Sequence, residues 1–394
     1  MDEAKVHGLL NDWIDPDWPL LTPPELDNVL RRFSSLRRVA NILSYSPRPF
    51  SAASKVATSG GTVFIKRHHC SVRDRDGLLE EHRFIQHLAE HGCPVPAVLP
   101  NDQGETAISE GEWTYEVHSI PQSLDLYEQD LSWTPFRGTH HASAAGRALA
   151  RLHNAASGYN APPRAAKMLV TSFSILGADD PWLGMERYIA ARPNLAAYLE
   201  DRQWREPAQN LFTPYFDQLR PWVADLSSLW THNDLHASNL FWTSTEDTAE
   251  VSAIIDFGLS DRTNAVHDIA TAIERNGVRW LSLEGSFEDV VHLDQIDALL
   301  NGYEQIRPLS PNERQALVAM LPLVHVEFAL SETDYYLSVL KSEERAFIAW
   351  DGYCLGHVAW FNTRVGQKLL DHLKAWADTD YRGSQVEQGH DVCH

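Results

Sequence analysis

The segment from Thr231 to Asp268 constrains this 394-residue chain more than any other. It reads THNDLHASNLFW, then TSTEDTAE, then VSAIIDFGLSDRTNAVHD. Leu240-Phe241-Trp242 and Val251 to Ile255 are apolar, aromatic or β-branched runs on either side of a polar interval, which predicts two antiparallel strands. Such a hairpin closes Asn239, just before the first strand, onto Asp256, just after the second. An amide oxygen and a carboxylate so placed are hard donors of the kind Mg²⁺ accepts beside phosphate oxygens. Asp234 sits in the same loop as Asn239, where it can accept or align the proton of an attacking hydroxyl. The pattern points to phosphoryl transfer.

Two other readings of the loop stand beside this one. His232 and His236 are four apart, as zinc-binding histidines on a helix are, but the HExxH glutamate is missing and Asn233, Asp234 and Ser238 make a poor helix. Asp234, Asn239 and Asp256 are also residue types that end strands and form turns. What separates the first reading from these is the upstream sequence.

There, SKVAT-Gly60-Gly61-TVFIK reads as a hairpin. The pleat puts Lys66 on one face with Thr62 and Phe64. The stretch Ser44 to Ser54, rich in Ser, Ala and Pro, is a candidate phosphate-covering loop, although it lacks G-x-G-x-x-G. A helix follows over Leu78 to His91, with Leu78, Ile85, Leu88 and Ala89 as its apolar stripe. Glu81 lies on that stripe and needs a cationic partner. Lys66 is the expected one, and Glu80 is the competing carboxylate. Ala107 to Gly111 and Trp113 to Val117 predict a further hairpin, and the irregular interval from Pro121 to Phe136 marks the expected boundary between two lobes.

Beyond it, SAAGRALARLHNAA has the pattern of a buried helix, with His153 as a core histidine. Residues 160–225 read as short helical pieces among prolines. Asp268 opens DIATAIERN and is expected to cap that helix, with a possible second role in tethering the loop. Ser310-Pro311-Asn312-Glu313 is a capping box, and Pro322 should break the helix it starts. In the second part Glu327 and Asp334 share an apolar stripe about 10 Å apart. Carboxylates there suit an amine or hydroxyl group of a substrate, or ion pairs to neighbouring helices. A last helical pattern covers Ala346 to Trp376, and the tail from 379 to 394 is expected to be flexible.

Composition narrows the partners. The 54 acidic residues against 33 basic ones give a net charge of −21, which disfavours nucleic acid and anionic membrane surfaces. The four cysteines are scattered and make no CxxC or Cys/His spacing, so neither disulfides nor a zinc site is indicated and a cytoplasmic location fits. No signal peptide or membrane span is expected.

HNDLHASN resembles the H-x-D-x-x-x-x-N loop of the aminoglycoside phosphotransferase and choline kinase superfamily, and Asp256-Phe257-Gly258 resembles the metal-binding DFG of protein-kinase-like folds. EEHRFIQHLAEHGCPVPAVL and GRALARLHNAA are similar to helices of the homoserine-kinase-like and stress-response-kinase branches. The similarity covers about residues 35 to 375.

The resemblance implies an α+β, two-lobed protein-kinase-like fold. Its parts would be an N-terminal extension (1–36), a nucleotide-binding N-lobe (37–120) with an antiparallel sheet and a helix, and a mainly helical catalytic C-lobe (121–378). It further implies ATP and Mg²⁺ as cofactors, with Lys66 on the α/β-phosphates and Glu81 orienting it. Backbone groups at Glu116 and Val117 would face adenine, Asp234 would be catalytic, Asn239 and Asp256 would bind the metal, and His232 and Asp268 would support the loop. The absence of G-x-G-x-x-G, HRD and A-P-E favours a kinase of a small hydroxylated, amine-bearing metabolite. A stress-response-type Ser/Thr protein kinase and a catalytically silent nucleotide-binding protein are the alternatives.

Overall fold

Period-two alternation builds the N-lobe. In strand β3 (Gly61–His69), Val63 and Ile65 are buried in a small core while Phe64 and Lys66 face the other way. The computed structural model describes residues 16–379 apart from positions 37 and 47, so residues 1–15 of the N-terminal extension and 380–394 of the expected flexible tail lie outside the described residues. β1 (Val39–Tyr45), β2 (Ala52–Thr58), β3, β4 (Ile108–Glu110) and β5 (Trp113–Ser119) form one antiparallel sheet in the order β1-β2-β3-β5-β4. The β2–β3 hairpin turns at Gly60-Gly61, pairing Thr58 with Gly61, and Gly61 has the positive φ of +131° that such a turn requires.

Helix Pro23–Leu30 seals this lobe's core with Leu26, Val29 and Leu30. In the sequence, prolines at 16, 19, 23 and 24 predict an irregular lead-in with a helix only from about Glu25 to Leu36. It begins earlier because Thr22 and Glu25 make a capping box with proline at the first turn. It also ends earlier, and the Ser34 amide beyond it is taken by the Asp102 carboxylate at 2.8 Å. The second N-lobe helix, Arg75–Glu90, is capped by Asp74, which accepts from the Gly77 amide at 2.8 Å.

The C-lobe is mostly helical around one large core. Its central helix, Thr139–Ala156, crosses Leu293–Glu304 at two glycines. A Cβ on Gly146 would collide with the Leu299 carbonyl, and one on Gly302 with the Ser143 carbonyl. Residues 160–225 hold two short helices, Pro181–Ala190 and Pro193–Asp201, but also a 19-residue helix, Arg205–Val223, where only short pieces were expected. That helix runs through Pro214 because the proline is on its solvent side, while Phe212, Tyr215, Phe216 and Leu219 anchor the opposite face. The Ser310 capping box forms, and Pro322 turns Leu321–Leu323 into a 3₁₀ segment before helix Val326–Tyr335. The run from Pro311 to Leu340 is long and apolar enough to cross a membrane, yet 94% of its most apolar window is buried inside the fold. The expected last helix is four pieces, including a π-helical stretch at Ile348–Leu355.

Two small hairpins carry the central segment. β6 (Ser228–Thr231) pairs with β9 (Asp261–Asn264), and β7 (Leu240–Trp242) with β8 (Val251–Ile254) in the register Leu240 to Ile254. That register places Asn239 beside Asp256, and the Ile255 amide donates to the Asn239 carbonyl at 3.0 Å.

Candidate active site

Asp268 organises the loop. Its carboxylate accepts the backbone amides of His232 and Asn233, both at 2.8 Å, and meets His153 Nε2 at 3.0 Å. His153 in turn contacts the Tyr303 hydroxyl at 2.7 Å, so it is a satisfied core histidine. Asp268 tethers the loop but does not cap its helix. Helix Ala265–Gly277 starts three residues before it, with Asn264 as the cap accepting from the His267 amide at 2.9 Å. His232 completes the frame, with Nε2 2.9 Å from the Ile255 carbonyl. Asn233 and Asp256 both adopt φ of +62°, the left-handed conformation that turns each side chain out of its strand direction.

Within that frame Asp234 faces two basic groups. Arg275 Nε lies 3.1 Å from Oδ1 and His236 Nε2 lies 3.7 Å from Oδ2. Burial raises the Asp234 carboxyl to about 6, against the lowering pull of Arg275. Asn239 donates from Nδ2 to the Asp234 carbonyl at 2.9 Å. The Asp256 carboxylate accepts from Lys66 Nζ at 2.8 Å. Burial alone would raise the Asp256 carboxyl, but the Lys66 ammonium holds it well below the usual range. Lys66 is correspondingly raised, the charges of Asp256, Glu116 and Glu81 outweighing its burial.

The expected Lys66–Glu81 pair does not form. Glu81 instead lies 3.5 Å from Arg164, whose guanidinium also donates to the carbonyls of Gly77 at 2.7 Å and Gly258 at 3.0 Å. Arginine from the 157–180 segment offers a fork that a single ammonium cannot, and Lys66 is left to Asp256. Glu80 accepts from the Ala165 amide at 2.8 Å. Glu116 and Val117 are likewise not placed as expected. β5 is paired with β3 on one side and β4 on the other. The Val117 carbonyl accepts from the Leu99 amide at 2.7 Å, so it is already engaged. The chain next to the cavity is His118 to Pro121.

Glu327 and Asp334 are also elsewhere. Glu327 is buried and accepts the amides of Ser172, Ser174 and Ile175 at 2.9, 2.7 and 3.0 Å. Asp334 takes the Ser338 hydroxyl at 2.6 Å and lies 3.7 Å from Arg192. Neither lines either of the two cavities between the lobes. The face of the same helix that does is Phe328 and Glu332, continued by Tyr336. Their spacing of four was in the sequence, one residue out of step with the stripe chosen. The arginines were missed altogether. Arg275 lies in the last turn of its helix, two residues past Ile273, and Arg48, in the 46–51 loop, donates to Ser238 at 2.6 Å and Ser132 at 3.1 Å across the lobes. The candidate phosphate-covering loop is shorter than expected, since Ser44 and Tyr45 belong to β1 and Ala52 to Ser54 to β2.

Two cavities meet at the Lys66–Asp256 pair, which lines both. The smaller, about 300 Å³, lies between the N-lobe sheet and the β7–β8 hairpin and includes Asn239. The larger, about 400 Å³, includes Asp234 and Arg275 with Trp133, Phe328, Tyr336 and Tyr353.

A five-stranded antiparallel lobe on a helical one, with this loop between two cavities, defines a phosphotransferase of the protein-kinase-like class. The chain belongs to the phosphotransferase enzyme family (APH), whose family model matches residues 50–309, and it is a small-molecule kinase. A homoserine kinase from Methylobacillus flagellatus is 27% identical over 264 residues, 64% of this chain and 70% of that protein. One from Caulobacter vibrioides is 29% identical over 233 residues, 58% of this chain and 62% of that protein. Among solved structures, the microcompartment-associated aminopropanol kinase superimposes with a TM-score of 0.56 at 16% identity, over 86% of this chain and 98% of that one. An aminoglycoside phosphotransferase from Alicyclobacillus acidocaldarius gives 0.53 at 15% identity, over 91% and 97%. These two share the fold.

Proposed function

We propose that the protein transfers the γ-phosphoryl group of ATP to the hydroxyl of a small amine-bearing metabolite, with Mg²⁺ as cofactor. The observation that carries this reading is the meeting of the two cavities at Lys66 and Asp256, with Asn239 in the smaller and Asp234 in the larger. The smaller cavity takes the nucleotide, with Lys66 toward its phosphates. The larger takes the acceptor, whose hydroxyl proton Asp234 accepts or aligns while Arg275 holds the carboxylate in place. Asp256 and Asn239 suit a magnesium ion, because they are hard donors on one cavity wall and Asp256 is held ionised with Lys66 standing as its counter-charge. When bound, the ion neutralises phosphate charge. Positioning and charge neutralisation supply most of the barrier reduction, and the base contributes about 10²- to 10⁴-fold.

The relatives' names, homoserine kinase and aminopropanol kinase, both describe acceptors that carry a hydroxyl and an amine. Glu332 offers the larger cavity a carboxylate suited to such an amine. Among the described residues it forms no ion pair within 4.0 Å, and it accepts a hydrogen bond from the Tyr336 hydroxyl at 3.2 Å. ATP consumption measured against homoserine, hydroxylysine, amino alcohols, aminoglycosides and a protein extract tests the reading. Acceptor-dependent turnover with an amino alcohol or hydroxy amino acid is expected. Turnover only with protein substrates, or none with any acceptor, overturns it.

A further inference from the structure

Glu116 stands opposite Lys66 in the β3–β5 register, so the two side chains leave the sheet on one face. Three imidazoles converge on its buried carboxylate. His82 Nε2 and His118 Nε2 each lie 2.8 Å from Oε2, and His68 Nε2 lies 3.0 Å from Oε1. One ligand atom from each of His82, Glu116 and His118 lies within 4.8 Å of the others. The catalytic reading uses none of the three histidines.

Among the described residues no lysine or arginine lies within 4.0 Å of the Glu116 carboxylate, whose close partners are the three imidazoles. The nearest cations are committed elsewhere, Lys66 to Asp256 and Arg73 to the carbonyls of Leu169 and Gly258, both at 2.8 Å. We propose that His82, Glu116 and His118 form a binding site for a borderline transition-metal cation of the Zn²⁺ class. Two imidazole nitrogens and one carboxylate oxygen are donors that Zn²⁺ accepts at about 2.0–2.2 Å, leaving a fourth position for water. Tetrahedral placement at those lengths separates ligand atoms by about 3.3 Å, so binding requires each ring to withdraw from the carboxylate by about half an ångström.

The supporting shell is already in place. The Thr106 hydroxyl is 2.9 Å from His82 Nδ1, which fixes the ring with Nε2 toward the site, and His68 holds the other oxygen of Glu116. His118 lines the smaller cavity with 14% of its side chain exposed, which gives an ion access from solvent. His118 shares the smaller cavity with Asn239 and Asp256, but the site differs from that pair in ligand type, offering two imidazole nitrogens where they offer hard oxygens. Occupancy would also withdraw the Glu116 charge from Lys66.

The test uses the full chain, stripped with chelator and kept in excess Mg²⁺. Zn²⁺ binding is followed by calorimetry and Co²⁺ binding by its visible absorption. One equivalent is expected to bind, with His82→Asn and His118→Asn each weakening it at least about tenfold and Thr106→Val about tenfold. Circular dichroism establishes that the variants are folded. Should His82→Asn fail to fold, the partly exposed His118 and the outlying Thr106 keep the question decidable. Absence of saturable binding in the native chain, or unchanged binding in the folded variants, overturns the proposal. Neither result bears on phosphoryl transfer, which the Asp234 and Asp256 variants test separately.

Discussion

At the scale of single residues, Asp234 and Asp256 are chemically alike and electrostatically opposite. Asp256 is held ionised by Lys66, whereas burial lifts Asp234 to about 6. The two therefore separate into a permanent charge and a proton acceptor near neutrality. Asp234→Ala should reduce kcat by at least about 10²-fold while nucleotide still binds by calorimetry, and turnover near the native rate would refute the assignment. Asp256→Ala should instead abolish the Mg²⁺ dependence of nucleotide affinity, read from titrations with and without the ion. Arg275 separates the two behaviours further. A base works only when ionised, so kcat/KM should fall as pH drops through about 6. Arg275 lowers the Asp234 carboxyl, so Arg275→Met should move that acid limb to higher pH. A limb that stays put or moves down would show that another group controls it.

At the scale of elements, what could be read from the sequence was what local pattern determines. The β7–β8 hairpin, the Gly60-Gly61 turn and the Ser310 capping box depend on residues a few positions apart, and all three are present. Partners that come from distant segments could not be read. Arg164 takes Glu81 from a stretch without any periodic signal, and Glu327 meets three amides of the 172–175 turn. Both carboxylates chosen on helix Val326–Tyr335 lie on faces that pack against protein, and Glu332, between them in sequence, faces the cavity. The distinction has a measurable form. Glu327→Ala leaves buried amides without an acceptor and should cost about 3 kcal/mol or more of stability. Glu332→Gln should leave thermal stability nearly unchanged and raise KM for an amine-bearing acceptor. A shift in KM for the first and in stability for the second would reverse their roles.

At the scale of the molecule, the two lobes are joined by buried guanidinium groups. Arg73, next to the N-lobe helix Arg75–Glu90, donates to the carbonyls of Leu169 and Gly258, and Arg164 of the C-lobe donates back to Gly77 and meets Glu81. Gly258 accepts from both, so the segment that follows Asp256 is fixed from each lobe at once. Such a tie has a cost: an arginine without exposed surface depends on every one of its acceptors. Arg164→Met keeps much of the volume but leaves Glu81 a buried charge without its partner and the Gly77 and Gly258 carbonyls short of a donor. Removing one member of a buried pair costs about 3–5 kcal/mol. At about 2–4 °C per kcal/mol for domains of 150–250 residues, the midpoint of thermal unfolding should fall by about 6–20 °C. Because the loss falls on the junction, N-lobe and C-lobe probes should separate. Hydrogen exchange in β2 and β3 should accelerate before that in helix Thr139–Ala156, where the native chain is expected to open both together. Equal acceleration in the two would place the tie within the C-lobe alone.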